Sequence, residues 1–327
     1  MTWSPRNDVG QRFSGKTLPD VISISVGNIA FGGRGKTPTV ALVTRTLLAM
    51  GERPAILSRG YGRRHQVDGV VVVSDGRHLL ADLDRSGDEP LMLARQIPDS
   101  IVLVCDQRAV AGALAHHAFG ATALVLDDGF QHRQMGRHLD LVIVAPDDLT
   151  GRRAPFGRLR EPVSALRRAD AVAIDAGAEN DVGQHFSGKT LPDVVFRLRR
   201  HTAAPDLPAG APVFVVAGIA GPERFVRAVE AAGLVVAGHW LPGDHAPVAA
   251  RDIARIERDA RAAGAVALVT TAKDAERLRP FRPLPFDVHV MAHEVELAPV
   301  EGGPTFAAWL AERVTTHRHQ RRAGAVA

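Results

Sequence analysis

Lys36-Thr37 closes a glycine-rich stretch, GNIAFGGRGKTP, that follows the alternating apolar run Val21 to Val26 and leads into an apolar-periodic run from Thr39 to Met50. Read by period, that is a strand, a loop and a helix. Gly32, Gly33 and Gly35 let the backbone N–H groups around Arg34 face one point, and the helix N-terminus adds partial positive charge there. A lysine and a hydroxyl at the mouth of such a loop suit a nucleotide triphosphate: Lys36 for the β- and γ-phosphates, Thr37 for a magnesium ion, with Pro38 in the first helical turn. A second apolar run, Ala123 to Leu126, ends in Asp127-Asp128, carboxylates placed to hold that metal and its waters. Arginine is concentrated between Gly151 and Arg168, at Arg152, Arg153, Arg158, Arg160, Arg167 and Arg168. Guanidinium groups pair bidentately with phosphate oxygens, so this stretch reads as a clamp. Arg108 stands in the first turn of a helix expected over Asp106 to Ala118 with Asp106 as N-cap, where a cation opposes the helix dipole. Either it faces an anion or it is a solvated surface arginine.

The strict pattern G-x-x-x-x-G-K-[ST] is missed at Lys36, where Ala30 replaces the first glycine, but is met at Gly10–Thr17 and at Gly183–Thr190. Both strict matches run into Leu-Pro, at Pro19 and Pro192, and then into strand-like residues. Proline disfavours helix at the residue before it. Without the helix the loop loses its dipole and half its N–H groups, so the site belongs at Lys36. The two matches are parts of one duplicated stretch, DVGQRFSGKTLPDV at 8–21 and DVGQHFSGKTLPDV at 181–194. One distant pair of copies is not a repeat architecture, and the first copy is expected to be poorly ordered.

The elements that must carry these residues alternate. Strand-like runs at Ala55–Leu57, Gly69–Val73, Ile101–Val104, Ala123–Leu126 and Leu141–Val144 are separated by helical stretches, one of them starting at Pro90. That order predicts an α/β fold with a mostly parallel sheet covered on both faces. After the strand Val194–Leu198 the linker-like His201 to Gly210 precedes a second α/β unit. Its strands are Val213–Ala217, Leu234–Trp240 and Val266–Thr270, with helices at Glu223–Ala232 and Ala250–Ala263 and a turn at Thr271–Asp274. Three segments follow: an atypical N-terminal 1–20, a nucleotide domain 21–200, and a smaller domain 201–327, with a fraying tail after Val314.

Composition sets limits. With 327 residues, 46% of them hydrophobic, the chain can form two cored domains. The single cysteine, Cys105, excludes a disulfide framework, fits a reducing compartment, and reads as a small core residue. A net charge of +4 and 5% aromatics give no basis for nucleic-acid binding. No apolar run reaches the roughly 18–20 residues that span a bilayer, and the first residues do not read as a signal peptide.

Taken in order, SVGNIAFGGRGKTP, LSRGYGRR, SGDEP, LDDGFQH, FGRLREP, GIAGPERF, GDH and TTAKDAERL, spread over Val21 to Leu278, resemble the tetraacyldisaccharide 4'-kinases of lipid A biosynthesis. The resemblance implies a P-loop kinase domain and a second α/β domain closing a cleft, and transfer of the γ-phosphate of ATP to the 4'-hydroxyl of tetraacyldisaccharide 1-phosphate. It implies ATP and Mg2+, a monomer, and a peripheral place on the cytoplasmic face of the bacterial inner membrane, against an anionic lipid surface. It implies Asp88 as catalytic base with His245 as its partner from the second domain. Lys36, Arg160 and Glu161 are then catalytic, and Gly32, Gly33, Arg34, Gly35, Lys36, Thr37, Pro38 and Arg108 nucleotide-binding, with Thr37, Asp127, Asp128 and Glu89 at the metal. Family members carry a longer amphipathic or apolar N-terminal segment, which the duplicated stretch replaces here. A GTP-dependent switch or metallochaperone would want [NT]-K-x-D; Thr271-Ala272-Lys273-Asp274 has Lys and Asp adjacent, so their side chains diverge. A module that binds nucleotide without catalysis would have no need of Lys36, Asp88, Asp128 and His245 together.

Overall fold

The computed structural model describes residues 2–3, 21–65, 67–175, 192–300 and 302–324. Gly10–Thr17, Gly183–Thr190 and nearly all of the duplicated stretch lie outside them, as does the expectation about the order of the first copy.

The strands are β1 (Thr2–Trp3), β2 (Ile22–Asn28), β3 (Pro54–Ser58), β4 (Val70–Asp75), β5 (Ile101–Val104), β6 (Ala123–Asp127), β7 (Leu139–Val144), β8 (Ala171–Ile174) and β9 (Val195–Thr202), followed by β10 (Pro212–Val216), β11 (Val235–Trp240), β12 (Ala267–Thr271), β13 (Asp287–Met291) and β14 (His293–Pro299). Ten of them form one sheet in the order β1-β4-β5-β3-β6-β2-β7-β8-β9-β14. From β5 to β9 every neighbouring pair is parallel; β1 on β4, β4 on β5 and β14 on β9 are antiparallel. After β2 the chain winds to one side, into β3, and after β7 to the other, into β8. Adjacent strands that wind outward in opposite directions open a crevice at their carboxyl ends, where α/β sheets bind ligands.

Both faces of this sheet are covered, which is why its strands read as continuous apolar runs. Ile22, Ile24, Val26, Val125, Leu141 and Ile143 face helices α1 (Lys36–Ala49) and α3 (Asp88–Gln96), the latter preceded by the short α2 (Leu83–Ser86). Leu103, Leu124 and Leu126 face α4 (Arg108–Phe119). Val142, Val144 and Val172 pack with Ile29, Phe130, Leu159 and Leu166.

The smaller lobe is a four-stranded parallel sheet, β11-β10-β12-β13. Phe225 and Val229 of one helix (Pro222–Ala231) cover Val213 and Val215. Ile253, Ile256 and Ala260 of another (Ala250–Ala262) cover Phe214 and Val216 on the opposite face. The lobe is inserted rather than appended. The sequence reading assigns 201–327 to the second unit, but β14 pairs along β9 from His293↔Thr202 to Pro299↔Phe196. The last helix (Phe306–Gly324) then sets Trp309 against Phe196 at 5.7 Å and contributes Phe306, Leu310 and Val314 to the large core. The chain crosses between lobes twice, along two paired strands.

Four local expectations differ. Residues 201–202 extend β9 rather than start a linker. The helix expected from Asp106 begins at Arg108, because the Asp106 carboxylate is taken by Arg63 at 3.3 Å. The helix expected from Pro90 begins at Asp88, so the missing proline N–H falls in a first turn where it has no intrahelical partner to lose. The tail after Val314 stays helical to Gly324; Arg318 pairs with the buried Glu52, and the ring of His317 lies 4.2 Å from that of His138.

Two predictions follow from these contacts. Trp309→Ala removes a side chain that is 2% exposed and should cost about 3–5 kcal/mol in denaturant unfolding of the large lobe, although it lies beyond the small lobe in sequence. His138 accepts a hydrogen bond at Nδ1 from Ser23 N (3.0 Å), and burial with the His317 neighbour brings its pKa down to about 4. The unfolded chain, titrating near 6.5, binds that proton first. The stabilisation is therefore full above about pH 6.5 and lost as pH falls toward 4. His138→Gln should flatten that part of a stability-versus-pH curve.

Candidate active site

The phosphate loop is built as its residue types require. Gly35 ends it at φ 80 and caps α1 in a left-handed conformation, with no side-chain cap bond and no acid in the first turn. The leading N–H groups of a 14-residue helix thus stay uncommitted to side chains. Lys36 and Thr37 are its first two residues and Pro38 its third. Gly32 (φ 105) and Gly33 are exposed, and Arg34 is tied to the buried Asp148 by an ion pair.

Lys36 Nζ reaches Asn28 Oδ1 at 3.4 Å and Asp128 at 3.6 Å. Arg160 grips both carboxylate oxygens of Asp128, at 2.8 and 2.7 Å, and also bonds Asn28 Oδ1. The arginine-rich segment is fixed beside the loop by its backbone, with Arg160 N donating to Ile29 O (2.7 Å) and Phe31 N donating to Arg158 O (2.8 Å). Glu161 receives Gln131 (3.1 Å), Arg133 (3.1 Å) and Arg168 (2.8 Å), so it acts as the hub of that segment rather than pointing free. Burial opposes the charge on Asp128, but Arg160 and Lys36 outweigh it and lower its pKa.

Asp127, at the end of β6, accepts a hydrogen bond from Ser58 Oγ at 3.2 Å. Burial first, and then the Asp128 charge, raise its pKa. Glu89 behaves alike: burial and the Asp127 charge push it up to about 7. Two acids held against their charge, beside the Thr37 end of α1, fit a hard cation that takes oxygen ligands. No cluster of three or more His, Cys, Asp or Glu among the described residues makes a closed metal cage. Asp128, engaged by two cations, belongs to the phosphate-loop network. Arg108 is 1% exposed, which excludes the solvated alternative. It donates to Cys105 O (3.3 Å) and Asp127 O (3.5 Å), and burial with the neighbouring Arg59 brings its pKa to about 10. Cys105 itself is buried.

The second cluster joins the lobes. Asp88 opens α3 and is 4% exposed. Its Oδ1 accepts from Glu89 N at 3.0 Å. Toward its Oδ2 come His245 Nδ1 at 3.2 Å, Lys273 Nζ at 4.0 Å and a hydrogen bond from Arg277, all from the small lobe. Burial raises the pKa of Asp88, but His245, Lys273 and Arg277 together bring it down to about 2. His245 holds φ 57, and its Nδ1 makes no well-aligned hydrogen bond among the described residues, so the Asp88 contact is close but not yet linear. Gly62 permits that approach: at φ 78, a Cβ there would stand 3.1 Å from His245 Nδ1. Glu89 senses both clusters, Asp127 on one side and Lys273, Asp88 and His245 on the other. Beside Asp88 the lobes enclose a cavity of about 390 Å³ lined by Gly62, Arg64, Asp88, His245, Val248, Arg277 and Phe281.

The expected residues thus gather at the carboxyl ends of the strands, around two centres. Sequence reading missed Asn28, Ser58, Lys273 and Arg277. The last two had a signal. Thr271 caps a short helix (Ala272–Leu278) at Asp274 N, so what reads as a turn is a helix start. Asp274 turns inward to Gly218 N (2.9 Å) while Lys273 goes to Asp244 (2.7 Å) and His245 Nε2 (3.1 Å). The two side chains diverge, as a guanine-reading pair would not.

The family model described as LpxK, tetraacyldisaccharide-1-P 4'-kinase, matches residues 6–315. A tetraacyldisaccharide 4'-kinase of Syntrophus aciditrophicus is 36% identical over 321 residues, covering 90% of this chain and 85% of its own. One from Anaeromyxobacter sp. (strain Fw109-5) is 41% identical over 277 residues, covering 79% and 74%. The crystal structure of LpxK from Aquifex aeolicus in complex with ATP superposes with a TM-score of 0.73 at 28% identity, covering 95% of this chain and 93% of that one. With the phosphate loop at Lys36 and a family match running through both lobes, this chain belongs to the tetraacyldisaccharide-1-P 4'-kinase family.

Proposed function

We propose that the protein transfers the γ-phosphoryl group of ATP to the 4'-hydroxyl of tetraacyldisaccharide 1-phosphate, forming lipid IVA. The observation that carries the reading is the buried Asp88 carboxylate, set at the mouth of an interlobe cavity and contacted by His245, Lys273 and Arg277 of the opposite lobe.

The loop N–H groups and Lys36 hold the β- and γ-phosphates, and Arg160 stands ready to share the charge of the transferring group. Asp127, Glu89 and the Thr37 hydroxyl would hold a magnesium ion, which would neutralise charge developing on the transferring phosphates. The 4'-oxygen forms a bond to the γ-phosphorus, the bond to the β,γ-bridging oxygen breaks, and ADP leaves with that electron pair. The hydroxyl proton passes to Asp88 Oδ2. A carboxylate with a pKa near 2 is a weak base, which suits a loose transition state where the hydroxyl keeps its proton until late. Asp88 then serves mainly as an acceptor that orients the hydroxyl, with His245 fixing the carboxylate in turn.

One chain supplies both walls of the cleft, which supports a monomer as the acting unit. No helix among the described residues is long and apolar enough to cross a membrane, and we place the enzyme peripherally on the cytoplasmic face of the inner membrane, where its acceptor lies. A GTP-dependent switch is not favoured, since Lys273 and Asp274 point apart.

The test is transfer of label from γ-labelled ATP to the disaccharide monophosphate. We expect transfer with ATP, and a fall of about 10²–10³ in kcat for Lys36→Ala, the scale for losing one preorganised charge contact. Absence of transfer, or a Lys36→Ala variant as fast as the unmodified protein, would overturn the assignment.

A further inference from the structure

The segment 151–160 forms a hairpin beside the phosphate loop, and its tip is unlike the rest of the surface. Phe156 is 83% exposed and Phe31, on the facing loop, 55%. The two loops are one unit: Ala30 and Arg153 each bridge to Leu159, Phe31 N donates to Arg158 O at 2.8 Å, and Arg158 donates back to Phe31 O at 3.4 Å. Leu159 anchors the unit, 2% exposed in the core under β7 and β8. Around the two phenylalanines stand exposed Arg152, Arg153 and Arg158, and no acid occurs between Gly151 and Arg160. Large aromatic side chains of a well-anchored loop have no reason to face water alone. Aromatic rings ringed by arginine match the bilayer interface, where rings sit at headgroup depth and guanidinium groups meet lipid phosphates.

We propose that this hairpin, with Phe156 at its tip and Phe31 beside it, is a docking surface for an anionic lipid bilayer. It rests on the reading above only in that a lipid acceptor gives the docking a purpose. Arg160, at the base of the same hairpin, reaches Asp128, so a bilayer seated on Phe156 lies next to the phosphate loop and presents headgroups at the cleft. The basic residues give attraction that salt screens, and the rings give a term that salt leaves intact.

The experiment sediments the full chain with vesicles of phosphatidylcholine alone and with about 30% phosphatidylglycerol, without ATP or acceptor. We expect binding to the anionic vesicles that weakens as salt rises. Phe156→Ser and the double variant R152Q/R153Q should each weaken it by tenfold or more, the pair of arginines at about fivefold each. Phe156→Cys carrying an environment-sensitive dye should show a blue shift on anionic vesicles; the natural Cys105 is buried and leaves the label specific. Phe156→Ser should phosphorylate detergent-dispersed acceptor at the unmodified rate and lose rate only on vesicle-embedded acceptor. Unchanged vesicle binding in both variants, or a dye that stays in water, would overturn the proposal. So would a Phe156→Ser variant whose only change is a raised KM for ATP, which would assign the ring to the nucleotide. A protein that binds vesicles as expected but transfers no phosphate would uphold the docking surface and fail the kinase reading alone.

Discussion

A single carboxylate oxygen, Asp88 Oδ2, holds the arrangement together. A buried ionised carboxylate costs several kcal/mol unless charges and hydrogen bonds meet it, and all of its cationic contacts come from the other lobe: His245 after β11, and Lys273 and Arg277 on the helix after β12. The large lobe therefore presents an acid whose cationic partners, among the described residues, come from the small lobe. Arg277 is held for the task by Asp274 and Gly218 O, both at 2.9 Å. A second bond across the lobes, Arg95 to Glu276 at 2.8 Å, sits on the same two helices.

The phosphate end obeys the opposite economy. There the cations outnumber what they face, with Lys36 and Arg160 both on Asp128 and Arg108 buried beside Asp127. Acids are crowded behind them, with Asp127 raised by burial and the Asp128 charge, and Glu89 by burial and the Asp127 charge. A triphosphate would bring to the loop side the negative charge that Lys36 and Arg160 can meet. Glu89 sits where the two centres meet, one residue from Asp88 and within the field of Asp127.

Much of this was legible because local chemistry and the fold agree. Strand, glycine loop, Lys36-Thr37 and helix must lie together whatever the tertiary structure, and the acidic end of β6 is a neighbour of β2 by the rules of parallel sheets. Residues whose role is made by distant contacts were harder to read. Arg277 is one arginine among many until β12 is set beside β10. Asp106 has the composition of a cap but is drawn away by Arg63. The return of β14 and the last helix to the large sheet was hidden for the same reason: their apolar positions announce burial without saying in which lobe, and the pairing of His293 with Thr202 decides it. The motif resemblance supplied Asp88 and His245, which no spacing argument connects across 157 positions, and the structure places them 3.2 Å apart.

The central claim is that Asp88 and His245 work as one unit across the cleft. A double-mutant cycle on kcat/KM with Asp88→Asn, His245→Ala and the double variant measures this directly. The account predicts strong non-additivity, with the double variant little worse than Asp88→Asn alone and a coupling above about 1 kcal/mol. Losses that simply multiply would contradict it.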